Sequence, residues 1–213
     1  MKILIDNGHG MNAFTNGKYS PNISSWGIKD PTIYDNRFRE GNFNRIIAKK
    51  VYNILKAKGY DVELICPEDA DISLGTRVRR VNDICNKVGS KNCLFISIHS
   101  NANGYGEKFG TASGFSVFVA RKCSANSKKL AKIFQLNSEK LNLKGNRSIP
   151  GERYWSADFY VLTKTNCPAV LTENLFYDNE KDLKFLLTDK GKDTIVDLHI
   201  KSIEEYIKSN KYL

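Results

Sequence analysis

Two rhythms of apolar and polar positions alternate along the chain. Short apolar runs predict strands over Lys2 to Asn7, Tyr60 to Cys66, Asn92 to His99 and Gly114 to Ala120. Shorter ones follow at Phe159 to Leu162 and Ala169 to Glu173. The run ending at His99 is apolar on both faces, as a strand at a sheet centre is. Between the runs the apolar period lengthens. Phe43, Ile46, Ile47, Val51, Ile54 and Leu55 recur at helical spacing over Arg39 to Lys58, and Gly59 ends that helix. Further helices are predicted over Ser73 to Val88, Ser124 to Leu143, Asn179 to Leu187 and Thr188 to Ser209. Strand alternating with helix predicts an α/β fold: a single domain with a twisted, mostly parallel sheet flanked by helices on both faces.

One stretch breaks the rhythm. Gly8 to Phe38 is irregular, rich in Gly, Asn, Ser and Pro, and carries Phe14, Tyr19, Trp26 and Tyr34. Connections this long inside a compact domain are usually functional or disordered. Its aromatics argue for a binding surface, with Trp26 either shaping a substrate groove or plugging a satellite core beneath the loop.

Composition narrows the picture. The 213 residues suffice for one stable core, 41% are hydrophobic and 26% charged. No apolar run approaches the ~20 residues needed to cross a membrane. The opening apolar stretch is too short for a signal peptide, so the chain is expected to be made in the cytoplasm. Cys66, Cys85, Cys93, Cys123 and Cys167 are odd in number and have no C-x-x-C spacing, which predicts reduced structural thiols. A net charge of +10 fits either a solvated surface from lysine-rich coding bias or a polyanionic partner: nucleic acid, anionic lipid or an anionic cell-wall polymer. Arg77-Val78-Arg79-Arg80 is the densest basic cluster, and no nucleic-acid motif accompanies it.

Candidate chemistry sits where two apolar runs end. His9 lies in Asp6-Asn7-Gly8-His9-Gly10, and His99 in Ile96-Ser97-Ile98-His99-Ser100-Asn101. Ligand groups in α/β proteins gather beyond the carboxyl ends of strands. Two of the chain's three histidines at two such ends suggest a shared metal site. A catalytic zinc takes three protein ligands and keeps one position open. The third ligand is expected to be a carboxylate, and spacing leaves two candidates: Glu40, opening the first long helix, and Glu173, ending a strand. Glu40 could equally complement a helix N-terminus. The third histidine, His199, reads as a partly buried helix residue.

These segments, taken in order, resemble the zinc-dependent N-acetylmuramoyl-L-alanine amidases of the amidase-3 type over nearly the whole length. Asp6-Asn7-Gly8-His9-Gly10 is similar to the family's first metal motif, and Glu40 with Asn42 to its Glu-x-Asn helix start. Leu74 with Arg77, Arg80 and Asn82 is similar to its Leu-x-x-Arg segment. Phe95-Ile96-Ser97-Ile98-His99-Ser100-Asn101-Ala102 is close to its most diagnostic string. Gly114-Phe115-Ser116-Val117-Phe118 resembles the strand that follows. Val161-Leu162 and Pro168-Ala169-Val170-Leu171-Thr172-Glu173 resemble its C-terminal catalytic segment. The resemblance implies one Zn²⁺ held by His9, Glu40 and His99, with Glu173 as catalytic acid/base. It implies cleavage of the amide between muramic acid and L-alanine in peptidoglycan. Departures lie in the long loop before Glu40, in Met11-Asn12 after Gly10, and in Ser100 where alanine is common; they bear on substrate preference.

Residues 1–213 thus read as one catalytic domain with no separate wall-binding domain. That architecture suits a phage-type lysin acting on the wall after release. Two other readings fit the same residues: a zinc peptidase cutting within the stem peptide, and a basic binding module without catalysis.

Overall fold

The computed structural model describes residues 1–12, 18–104 and 106–210; Phe14 lies outside them. Four neighbouring strands run parallel: β4 (Val62–Leu64) at one edge, then β1 (Lys2–Asn7), β5 (Cys93–Asn101) and β8 (Ala169–Phe176). At one edge β6 (Ser116–Val119) pairs antiparallel with β8, and β7 (Trp155–Ser156) pairs parallel with β6. The spatial order is β4-β1-β5-β8-β6-β7. The mostly parallel sheet read from the sequence is therefore present, with an antiparallel member at one side.

Strand alternation divides the core. Ile3, Ile5, Leu94, Ile96, Ile98, Val117 and Val170 face α1 (Glu40–Ala57), α3 (Ala125–Lys140) and α6 (Asp189–Ser209). Leu4, Phe95, Ala169 and Leu171 face the other way, onto α2 (Leu74–Val88) and α4 (Tyr160–Thr163). Helices thus cover both faces, and residues two apart on one strand share a face. Ser73, Ser124 and Thr188 cap α2, α3 and α6 by accepting backbone N–H bonds. The short helix α5 (Glu180–Leu186) follows β8.

The strand expected over Phe159 to Leu162 is instead the single helical turn of α4. Val161 and Leu162 are adjacent yet both buried in the α2-side cluster, which a turn allows and a strand would not. Four apolar residues carry too little period to separate the two. The long loop also holds structure that the reading missed. A hairpin joins β2 (Ile33–Tyr34) to β3 (Arg37–Phe38), and a 3-10 turn spans Ser24–Trp26. Trp26 stacks on Phe109 with centroids 5.5 Å apart, beneath the Lys184 ammonium at 5.0 Å, and packs on the main core. It is a prop for the loop, away from the cavity described below. All five cysteines are free thiols, and all but Cys123 are buried. Among the described residues, no helix is long and apolar enough to cross a membrane.

His199 is fully buried on α6, deeper than the sequence suggested. One ring nitrogen lies 2.8 Å from the Ile195 carbonyl and the other 3.0 Å from the Thr172 hydroxyl. Burial lowers its pKa from 6.5 to about 4. A base depressed in the folded state stabilises the fold fully above pH 6.5, and that stability drains away as pH falls toward 4. The loss is expected to reach roughly 3 kcal/mol, at 1.36 kcal/mol per unit. Denaturant melts at pH 7 and pH 4.5 check this. His199→Gln, which cannot titrate, should lose less stability than the wild type across that interval.

Candidate metal centre

Sheet register brings the sequence-predicted residues to one edge. β1 and β5 pair in parallel through Asp6–Ser97 and Asn7–Ile98, so both chains leave the sheet side by side. His99 is then paired laterally with Glu173 on β8. Gly8 lets the first loop fold over the second: a Cβ there would lie 2.1 Å from the His99 ring. The next residue, His9, takes a left-handed backbone with φ of 65°. That conformation is uncommon for a non-glycine residue and marks a position held by its surroundings.

The start of α1 supplies the third group. Arg39 precedes the helix without a side-chain cap, and Glu40 turns back over the two histidines. Glu40 Oε1 lies 2.9 Å from His99 Nδ1 and Oε2 lies 3.3 Å from His9 Nε2. The Ser100 N–H and the Asn44 amide also donate to Oε1. Burial alone would raise this carboxyl's pKa; the facing His9 and His99 outweigh it and hold the group well below the usual carboxylate range. Its place close to the N-terminus of α1 also favours the anion.

Backbone contacts fix the loops around this trio. Asn44 donates to the Gly8 carbonyl, Arg45 to the His9 carbonyl and Asn174 to the His99 carbonyl. Asn42 and Asn12 exchange two bonds, of 2.7 and 2.9 Å, which pin the chain just after Gly10. That exchange gives Asn42, two residues after Glu40, a physical purpose.

A metal fits the trio. Donor atoms of His9, Glu40 and His99 all lie within 4.8 Å of one another. A tetrahedral zinc with bonds of ~2.0–2.1 Å would hold its ligand atoms about 3.3–3.4 Å apart, close to the two separations to Glu40. His9 Nε2 is buried, and its contact with Glu40 Oε2 at 3.3 Å is not aligned as a hydrogen bond, which suits a ligand atom facing a shared ion. Glu173 stands next to the trio and is outside it. Its Oε2 is likewise buried and unpartnered. Burial first, and the Glu40 charge second, push its carboxyl up to about 8.

His9, His99 and Glu173 line a cavity of about 430 Å³. Its walls include Leu74, already marked by the Leu-x-x-Arg resemblance, and Lys18, Asp71, Ile72, Phe159 and Tyr160, which the sequence offered no chemical reason to single out. They come from loops and helix ends, where pattern carries no signal. Beneath it runs a buried ionic strut. Arg77 on α2, 2% exposed, donates to Asp6 at 2.6 Å, to the Asn7 carbonyl at 3.1 Å and to the Ile72 carbonyl. Ser97 donates to the other Asp6 oxygen. Arg77→Ala strands a buried carboxylate and is expected to destabilise the fold by about 3–5 kcal/mol. Denaturant unfolding checks it, and adding Asp6→Asn to that variant should recover part of the loss.

Comparisons with known proteins agree with this architecture. The chain is 30% identical over 187 residues to an endolysin of Bacillus phage SPP1, covering 87% of this chain and 64% of that protein. It is 32% identical over 168 residues to the N-acetylmuramoyl-L-alanine amidase LytC of Bacillus subtilis, covering 78% of this chain and 31% of the relative. It therefore spans less than two thirds of both. The crystal structure of an N-acetylmuramoyl-L-alanine amidase from Clostridium difficile 630 superposes with a TM-score of 0.73 at 26% identity, covering 98% of this chain and 97% of that one. The family described as N-acetylmuramoyl-L-alanine amidase, of the amidase-3 type, matches residues 3–205, and this chain belongs to it.

Proposed function

We propose that the chain hydrolyses the amide between the lactyl group of muramic acid and L-alanine in peptidoglycan, with zinc held by His9, Glu40 and His99. The observation that carries this reading is a division of labour. Three donors converge on one point, and a second carboxyl, Glu173, stands beside them with its buried Oε2 unpartnered. A fourth protein ligand would close the position a catalytic zinc keeps open. Bound zinc supplies Lewis acidity, polarising a carbonyl and lowering the pKa of water toward ~7. Glu173 takes the proton from the attacking water and returns it to the leaving amine, which departs only once protonated. Its raised pKa suits both halves of that exchange. Glu40, held as an anion, is unfitted to carry a proton and fitted to bind a cation.

His9, His99 and Glu173 open onto one cavity. Lys18 and Tyr160 flank it, and the excess of 33 basic over 23 acidic residues favours approach to anionic wall polymers. After release from the cell, the enzyme works on the wall. Mass spectrometry of digested peptidoglycan, with and without chelator, tests the reading. The expected product pair is glycan bearing a free lactyl carboxyl and peptide beginning with alanine. Fragments cut inside the peptide would identify a peptidase instead, and an undigested wall a binding module.

A further inference from the structure

Glu173 has a neighbour on each side in the sheet. His99 pairs with it across β8–β5, and Ser116 pairs with it across β8–β6. Laterally paired residues point to the same face, about 4.8 Å apart per strand. The row therefore runs metal donor, free carboxyl, hydroxyl. Arg147 continues it: its Nη1 donates to Ser116 Oγ at 2.7 Å. The guanidinium lies 4.9 Å from the Trp155 ring centroid and 5.5 Å from that of Phe176, and the residue is only half-buried. Ring faces hold the guanidinium plane in place, and a guanidinium offers five donors, of which the Ser116 bond uses one. A positioned, partly desolvated fork of this kind matches a carboxylate.

The row also gives the substrate a direction. If Glu173 protonates the leaving nitrogen, that nitrogen lies on its side of the bond, with the carbonyl toward the histidines. The leaving peptide then extends past Glu173 toward β6. Each residue adds about 3.8 Å, so the second residue of the leaving peptide passes the strand spacing of about 4.8 Å between Glu173 and Ser116 and reaches the side on which Arg147 is bonded to Ser116. We propose that Arg147 is a specificity residue that binds a carboxylate on the second residue of the leaving peptide. This rests on the amidase reading above and adds to it a preference within the substrate class.

The test compares two muramoyl-L-alanyl dipeptides that differ only in that group, one with a free carboxylate and one with the carboxamide. The wild type should favour the carboxylate in kcat/KM by about ten- to a hundredfold, the range of a hydrogen-bonded charge. Arg147→Gln should bring the ratio to about one, and Arg147→Lys should restore part of it. Equal losses on both substrates, with the ratio intact, would make Arg147 a structural support and overturn the proposal. So would a wild-type ratio near one. Binding of the free L-alanyl dipeptide acid to the metal-free protein, followed by NMR titration, reads the contact without turnover. It should be weakened in Arg147→Gln and unaffected by Glu173→Gln. If neither muramoyl substrate is cleaved but the dipeptide acid binds through Arg147, the cleavage reading has failed while the carboxylate site stands. If the dipeptide acid binds equally to wild type and Arg147→Gln, the carboxylate site has failed whatever the turnover.

Discussion

Glu173→Gln is expected to lower amide hydrolysis by about 10²–10⁴-fold while the protein still folds and still binds its metal. The magnitude is that of general acid/base help. Glutamine keeps the size of the side chain and its place beside His99, and removes only the transferable proton. Metal content by elemental analysis, set beside single-turnover rates, separates this from the loss of a ligand. A zinc-free Glu173→Gln protein would make Glu173 a ligand and reopen the role of Glu40.

The same variant carries a stability signature in chelator. The Glu173 carboxyl titrates near 8 in the fold against an ordinary value of 4.5. An acid raised in the folded state lets the unfolded chain release its proton first. Between pH 4.5 and 8 the wild type therefore loses stability that glutamine does not lose. The Tm of Glu173→Gln should exceed that of the wild type at pH 8, and the gap should close at pH 5.

Much of this site was legible because strands end where apolar runs end. His9 and His99 stand at such ends, and parallel pairing of β1 with β5 brings them together. The choice between Glu40 and Glu173 was not legible from spacing, since both border apolar segments. It depends on Glu40 turning back from the first residue of α1, a direction that no periodicity encodes. Family resemblance supplied the preference there. Arg147 was invisible for a related reason. It reaches the row through Ser116, 31 residues earlier, from a connection outside any strand or helix. Two-residue strands such as β2, β3 and β7 are too short to show alternation. The aromatic content of the early loop pointed to a groove, yet Trp26 is spent on Phe109 and the core. Aromatic residues in a loop report burial as readily as binding.

His99→Ala should behave differently from Glu173→Gln in every readout. It removes a donor atom that lies 2.9 Å from Glu40 Oε1, so both zinc affinity and hydrolysis should collapse together. Activity should fall at least as far as in Glu173→Gln, because the open site and the acid/base both depend on the same centre. Stability should fall in two parts. Glu40, 2% exposed, loses one of the two partners that keep it ionised in spite of burial. The fold also loses the stabilisation from bound metal, about 2.7 kcal/mol where free zinc stands at 100 times its Kd. Chelator separates the parts: it should lower the wild-type Tm and leave that of His99→Ala nearly unmoved. Calorimetric zinc titration of the purified variant completes the comparison. Wild-type zinc affinity in His99→Ala would remove the imidazole from the ligand set and leave Glu40 and His9 in need of another partner.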